Sequence, residues 1–224
     1  MTNNHKNYLL DVETVPAADT KNVDAKTIHR QKLRDNKREI RDLRRQQTAA
    51  EALAGLDRKT EIYGFTKGQF SVIDLIRAAI EITGPASVDI STWTAAHSDV
   101  TTVLEFLSSG KITNTRWLVD ISFQRRYPEL AQRIRDNFGM DSVRVSANHS
   151  KFALIKAGKW RLVLFTSMNL NYNPRFENFQ IRHDPDLFKF HAEILDTLWK
   201  KQKKTAALDS PHSLQVKFQG TDWQ

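Results

Sequence analysis

The sequence predicts an α/β sandwich, in which β-strands alternate along the chain with helices. Two short segments, residues 152–155 (FALI) and 162–165 (LVLF), are apolar at every position, which is typical of strands buried on both faces. Other segments carry apolar residues at helical spacing and end at a glycine. Hydrophobic residues make up 40% of the 224 residues and charged residues 27%, so the chain has enough apolar surface for a folded core.

The N-terminal region differs in composition from the rest of the chain. Residues 1–22 are polar and contain Pro16, so we expect an extended polar arm. Residues 23–58 predict a charged helix, because apolar side chains share one helical face between a suitable N-cap and a glycine stop. The face consists of Leu33, Ile40 and Leu43, the cap is Asp24 and the stop is Gly55. We expect a solvated helix packed weakly on the body; the alternatives, in order, are a short coiled-coil arm and a DNA-binding helix.

The body of the protein is predicted over residues 59–205, followed by a C-terminal tail over 206–224. Ser71 and Asp74 form a capping-box pattern that begins an apolar helix over 72–82. The later segments alternate between strand and helix periodicity. They are a strand over 87–93, a helix over 100–108, a strand over 117–121, a helix over 128–138, a short strand over 142–145, the two apolar strands and a helix over 185–201.

Several classes of protein are disfavoured by what the sequence lacks. The chain contains no cysteine, which excludes disulfides, thiolate metal sites and a cysteine nucleophile. Neither a GxxxxGK[ST] phosphate loop nor a GxSxG nucleophile elbow occurs, and the seven histidines lack metal-ligand spacing. The apolar segments are too short to cross a bilayer and no secretory signal is visible. We therefore expect no metal, no cofactor, no membrane partner and a cytoplasmic location.

The charge of the chain points to an anionic partner. Lysine and arginine number 34 against 26 acidic residues, a net charge of +8, and the simplest polyanion in a cell is nucleic acid. Arg125 and Arg126 lie near a predicted helix, and Lys156 and Lys159 flank the turn between the two apolar strands. These four side chains are candidates for nucleic-acid binding; the alternative is an ordinary solvated surface.

The segment 149–177 (HSKFALIKAGKWRLVLFTSMNLNYNPRFE) carries the residues best suited to catalysis. His149 and Lys151 would project to one side of a strand, and Ser167 and Asn169 would do the same at the end of the next strand. An imidazole can attack phosphorus, while a fixed cation and neutral donors hold the phosphate oxygens as charge develops. A carboxylate such as Glu177 can orient the imidazole. The set suits a phosphodiester.

His149-x-Lys151 followed by Ser167-x-Asn169 resembles the HxK…(G)SxN signature of the phospholipase D superfamily. The resemblance extends upstream to the segment TKGQFSVIDLI and downstream to the final helix. It implies an α/β fold with a mixed central sheet and phosphodiesterase chemistry through a phosphohistidine intermediate. Carried over by position, it implies that His149 is the nucleophile, that Lys151 and Asn169 bind phosphate, and that Ser167 is a nearby donor. Glu177 resembles the acidic residue that supports the histidine.

Two positions depart from the family pattern. Lys156 stands where the family usually has an aspartate, and Thr166 replaces the glycine before the serine. The aspartate of the family sits away from the reacting phosphate, and some nuclease members function without it. Inactive binding modules also occur in such superfamilies, and Lys156 favours that alternative.

The chain contains a single HxK motif, whereas members with two copies build one site from both. The resemblance therefore implies a homodimer with a shared site, in which one imidazole is the nucleophile and the other the general acid. Single-copy members are commonly small nucleases. The sequence thus predicts a metal-independent endonuclease that hydrolyses DNA. The alternatives are a catalytically inactive nucleic-acid-binding protein and a structural or interaction protein, of a mobile element or phage.

Overall fold

The computed structural model of the chain describes residues 37–42, 48–95, 97–126, 128–170 and 175–201. The strands are β1 (Lys37–Asp42), β2 (Thr60–Thr66), β3 (Ala86–Thr92), β4 (Ile112–Asp120), β5 (Val143–Ser146), β6 (Phe152–Ala157), β7 (Trp160–Thr166) and β8 (Glu177–His183). The helices are α1 (Ala49–Leu53), α2 (Val72–Thr83), α3 (His97–Ser108), α4 (Ile121–Arg126), α5 (Pro128–Phe138) and α6 (Pro185–Lys201). A short 3-10 turn over Met140–Ser142 precedes β5.

The described strands form one mixed sheet in the order β1-β2-β8-β7-β6-β3-β4-β5. Pairing is parallel between β1 and β2 and among β3, β4 and β5, and it is antiparallel between the other neighbours. The predicted α/β fold with a mixed central sheet is confirmed. This topology brings the C-terminal ends of β2, β3, β4, β5 and β7 to the same edge as the N-terminal ends of β6 and β8. We call it the site edge.

Two apolar clusters hold helices against the sheet. The larger cluster joins one face of the sheet to α1 through α5, and its fully buried members include Ile76, Trp117 and Phe179. The smaller cluster joins the other face to α6 through Leu195 and Leu198. Ser71 and Asp74 begin α2 with the predicted capping box. Among the described helices, none combines the length and apolar character needed to cross a membrane.

The prediction of a continuous helix over 23–58 is wrong where the structure describes that range. Residues Lys37–Asp42 form a strand that pairs in parallel with β2. Arg41 fixes this strand by donating hydrogen bonds from its guanidinium to the carbonyl oxygens of Ala52, at 2.8 Å, and Ala54, at 2.9 Å. Sheet pairing and these tertiary bonds therefore override the local helical spacing.

The rest of the N-terminal prediction is only partly covered by the structure. Residues 49–53 are helical, but α1 begins at its own capping box between Thr48 and Glu51. The predicted arm over 1–22, the remainder of the 23–58 helix with Leu33 and Leu43, and the tail over 206–224 lie outside the described residues.

Candidate active site

Three strand ends bring most of the predicted catalytic side chains together at the site edge. Lys151 immediately precedes β6, Ser167 immediately follows β7, and Glu177 is the first residue of β8. Two backbone hydrogen bonds extend the sheet ladder past the strand ends: Thr166 N to Lys151 O at 3.2 Å and Ser167 N to Asn178 O at 3.1 Å. The backbone pairing of the sheet therefore continues into the residues that carry these side chains.

His149 and Lys151 lie side by side in the segment before β6, not within a strand as predicted. The Lys151 ammonium nitrogen is 3.5 Å from His149 Nδ1 and donates a hydrogen bond to the His149 carbonyl oxygen at 3.0 Å. The indole of Trp93, at the end of β3, lies 5.8 Å from the imidazole, between ring centroids, at an angle of 53°. An imidazole, a cation and an aromatic wall thus share one small region.

The electrostatics of Lys151 combine two opposing effects. Burial lowers the pKa of its ammonium below the ordinary value, while the negative charge of Glu177 partly opposes that shift. Lys151 and Glu177 lie on either side of the end of β7, and their opposite charges attract each other across that strand. The site therefore contains a cation that is partly desolvated and close to the imidazole.

Glu177 contacts Ser167 and not the imidazole. The Ser167 hydroxyl donates a hydrogen bond to Glu177 Oε2 and accepts one from the backbone N–H of Asn178 at 3.0 Å. Among the described residues of one chain, no hydrogen bond joins Glu177 to His149. Within a single chain the carboxylate therefore orients the serine, in contrast to the role that the resemblance implies.

Asn169 lies where the segment after β7 meets the segment after β3. Leu170 donates a backbone hydrogen bond to the Thr94 carbonyl oxygen at 3.1 Å and forms an isolated parallel bridge with Ala95. The Asn169 side chain is partly buried, and its Oδ1 atom is buried without a hydrogen-bond partner. An unpaired buried amide atom is unusual in a folded protein. Its presence beside the site is consistent with a polar ligand at this position.

A polar network that the sequence analysis missed holds the backbone on both sides of His149. Asn148 is 7% exposed. Its backbone N–H donates a hydrogen bond to Asp120 Oδ2 at 3.0 Å, and its side-chain Nδ2 donates one to Ser91 Oγ at 3.1 Å. Ser150 donates its backbone N–H to Asn148 Oδ1 at 3.1 Å, and Ser91 Oγ donates to the Ser150 carbonyl oxygen at 3.1 Å. The segment that carries His149 is thus tied to β3 and β4.

We expect Asn148→Ala to lower the free energy of unfolding by about 1–3 kcal/mol, because it leaves buried partners unsatisfied. For the DNA cleavage that the sequence predicts, the substitution should also lower kcat more than it raises KM, since the backbone that carries the His149 imidazole is no longer held in place. Denaturant unfolding and cleavage kinetics measure the two effects. Asn137→Ala is the control: Asn137 is exposed on α5, and its loss should change stability by about 0.5 kcal/mol or less. Equal effects of the two substitutions would contradict the positioning role.

Two of the four predicted nucleic-acid-binding side chains, those of Lys156 and Lys159, lie far from this site. Lys156 is exposed near the far end of β6, about 17 Å along the strand from Lys151, and Lys159 is exposed in the turn beyond it. Arg125 and Arg126 belong to α4, which follows β4 at the site edge, but their side chains lie outside the described part of the structure. Among the described residues, no three His, Asp or Glu side chains are grouped so as to bind a metal ion.

Comparisons with known proteins find likeness in structure and not in sequence. No protein-family model matches the chain, and no curated protein matches it significantly. Polyphosphate kinase from Porphyromonas gingivalis resembles the chain with a TM-score of 0.50 and 15% identity, over 72% of this chain. The chain spans 30% of the length of that kinase.

Two other solved structures resemble the chain more weakly. Nuc from Salmonella typhimurium, a phospholipase D family member, has a TM-score of 0.47 and 16% identity over 64% of this chain and 95% of its own. NucT from Helicobacter pylori has a TM-score of 0.45 and 13% identity over 62% of this chain and 96% of its own. At sequence identities this low, a structural likeness shows a shared fold and does not show a shared activity. The likeness to polyphosphate kinase concerns the fold, and the phospholipase D-like fold predicted from the HxK and SxN motifs is confirmed.

Proposed function

We propose that the protein is a metal-independent phosphodiesterase that cleaves DNA through a phosphohistidine intermediate. The observation that carries the proposal is the separation of 3.5 Å between the Lys151 ammonium nitrogen and His149 Nδ1, at the sheet edge where the Ser167–Glu177 pair also lies. A nucleophile beside a fixed cation suits attack on an anionic phosphodiester. The net charge of +8 favours a polyanionic substrate.

Each side chain has a role in the proposed reaction. A ring nitrogen of His149 forms a bond to phosphorus while the bond from phosphorus to the leaving sugar oxygen breaks. Lys151 and Asn169 hold the non-bridging oxygens, and the Ser167 hydroxyl, oriented by Glu177, is a nearby donor. Water then attacks phosphorus, the nitrogen–phosphorus bond breaks and the imidazole is regenerated.

The leaving oxygen requires a proton, and the chain has one HxK motif. We propose that a second copy of the chain supplies the acid, so that two His149 imidazoles meet at a two-fold axis. The imidazolium of the second copy gives its proton to the leaving oxygen and regains one from the attacking water. The absence of a Glu177–His149 bond among the described residues of one chain is consistent with a site that one copy leaves incomplete.

The departure at Lys156 does not weaken this proposal. Its side chain is exposed about 17 Å along β6 from Lys151, so the usual aspartate is replaced at a distance from the proposed reacting atoms. This location favours an active enzyme over a catalytically inactive binding protein.

The proposal is tested by DNA cleavage in excess EDTA. The purified protein should nick plasmid DNA or shorten single-stranded DNA at the same rate with and without chelator, because an imidazole replaces the metal-bound hydroxide of metal-dependent nucleases. Gel electrophoresis of a time course measures the rate, and protein with His149→Ala purified in parallel controls for contaminating nucleases. Cleavage that requires added Mg²⁺ would refute the mechanism. DNA binding without any cleavage would support the inactive alternative.

A further inference from the structure

Exposed apolar side chains concentrate on one part of the sheet. Among the described residues, six large hydrophobic side chains are exposed, and four of them lie on or beside β1, β2 and β8. They are Ile40 (82% exposed), Tyr63 (41%), Phe65 (43%) and Phe176 (59%). A cluster of this kind commonly marks an interaction surface, whereas scattered exposed residues do not.

The four side chains lie on the face of the sheet opposite the large core. Tyr63 and Phe65 alternate along β2 with the buried residues Ile62 and Thr66, so they point away from that core. Ile40 is the register partner of Tyr63 on β1. Helix α6 covers this face farther along the sheet, where it packs on β6 and β7 through the smaller apolar cluster and pairs Asp196 with Arg116 of β4.

We propose that Tyr63, Phe65 and Phe176 form a stacking surface for the bases of single-stranded DNA, which we call the aromatic track. The proposal rests on the proposed function, since it assigns the strandedness of the substrate. The rings of Phe65 and Phe176 are already parallel to within 18°, with centroids 5.6 Å apart. Tyr63 follows two residues along β2, about 7 Å away. Aromatic faces spaced along a strand suit successive unpaired bases.

The aromatic track begins at the proposed site. Phe176 directly precedes Glu177, whose carboxylate accepts the hydrogen bond from Ser167. Phe65 is one residue before the end of β2 at the same edge of the sheet. A DNA strand held at His149 could therefore cross the site edge and continue over Phe176, Phe65 and Tyr63 in that order.

The polar groups around the aromatic track suit a polyanion. Glu61, on the same face, accepts hydrogen bonds or ion pairs from Arg38, Arg182 and Gln180, so its negative charge is compensated. Burial opposes its ionisation, but those bonds outweigh burial and lower the pKa of its carboxyl. The side chain of Arg38 is 60% exposed, and Arg175 is exposed beside Phe176. Asn178, exposed opposite Phe65 on β8, adds a group that can hydrogen-bond a base edge.

Single-stranded DNA fits the patch better than a duplex or a second copy of the chain. Bases within a duplex are stacked on each other and offer no free faces, whereas unpaired bases stack readily on aromatic side chains. A stable interface between copies typically takes about 20–30 residues a side, far more than these four side chains.

The test compares binding of fluorescein-labelled oligo(dT) with binding of a duplex of equal length, by anisotropy at one salt concentration. The full chain with His149→Ala is used, so that the oligonucleotide stays intact. We expect Phe65→Ala and Tyr63→Ala each to raise the Kd for oligo(dT) by about tenfold and the Kd for duplex by about twofold or less. Phe65→Leu should weaken binding as alanine does, while Phe65→Trp should preserve it. Ile194→Ala, at an equally exposed site on α6, is the matched control and should bind like the parent protein.

The outcomes separate the aromatic track from the proposed function. Equal losses for single strand and duplex, unchanged Kd values, or no oligo(dT) binding by the parent protein would each overturn the track. A ring substitution that dissociates an oligomer, as measured by light scattering, without changing the Kd for oligo(dT) per chain would also overturn the track. The patch would then be a contact between copies of the chain. Selective loss of single-strand binding in a protein that shows no EDTA-resistant cleavage would support the track and refute the proposed function. Normal binding by the ring variants of an active enzyme would refute the track alone.

Discussion

Replacing His149 by alanine is expected to reduce DNA cleavage by at least about 10⁴-fold, with little change in stability. In the proposed shared site each chain would contribute one imidazole, so the substitution would remove the nucleophile and the leaving-group acid together. Rates in excess EDTA, measured with enzyme in excess over plasmid, separate chemistry from product release. The side chain of His149 is exposed, so its loss should shift the thermal unfolding midpoint by little.

Mixed subunits distinguish a shared site from a self-sufficient one. Wild-type and His149→Ala chains carrying different tags can be mixed, and the species with both tags isolated. Heterodimers should have little activity, because each lacks one of the two imidazoles. Half of the wild-type activity in heterodimers, or full EDTA-resistant cleavage by a monomer, would contradict the shared site while leaving His149 as a candidate nucleophile.

The parts of the fold predicted correctly from sequence are those encoded by neighbouring residues. The capping box of Ser71 and Asp74 and the helical spacing that follows lie within one segment, and the structure has α2 there. The apolar strands β6 and β7 are joined by a tight turn and pair with each other. Short sequence separation makes such elements recognisable from pattern alone.

The elements that sequence analysis missed depend on distant partners. β8 alternates polar residues with only Phe179 and Ile181 buried, and it pairs on one side with β2, from the other end of the described chain. β1 has helical spacing, but its backbone pairs with β2 and forms a strand. In both cases non-local pairing determines the structure, and no short window of sequence contains that information.

The candidate site also has a part that could be predicted from neighbouring residues and a part that depends on residues distant in sequence. The spacing of His149 to Lys151 is local, and the structure places the two side chains in contact. The network around Asn148 joins residues from β3, β4 and the segment before β6, and no motif links them in sequence. Trp93 did have a usable signal, because it is the last residue of the strand predicted over 87–93, which ends at the same edge as the histidine.

The second large effect is expected for Lys151. Lys151→Ala should lower cleavage by about 10²- to 10³-fold, because the site loses the cation proposed to stabilise charge on the phosphate oxygens as the bond to phosphorus forms. Lys156→Ala, on β6, is the matched lysine control, and it should change the rate by about twofold or less, since its side chain is exposed near the far end of that strand. Comparable losses from the two substitutions would show that the active site has been placed wrongly.

The pH profile provides an independent test of the same side chain. Burial lowers the pKa of the Lys151 ammonium from 10.5, so the active, protonated form is lost as pH rises through a value below that of an ordinary lysine. Cleavage should therefore fall at alkaline pH before free lysine would titrate. Lys151→Arg keeps its positive charge to higher pH and should move this alkaline limb upward, even where its rate at neutral pH is reduced. An alkaline limb at the same pH in both proteins would exclude Lys151 as the group that titrates. Arginine at position 151 thus separates the charge of the side chain from its shape.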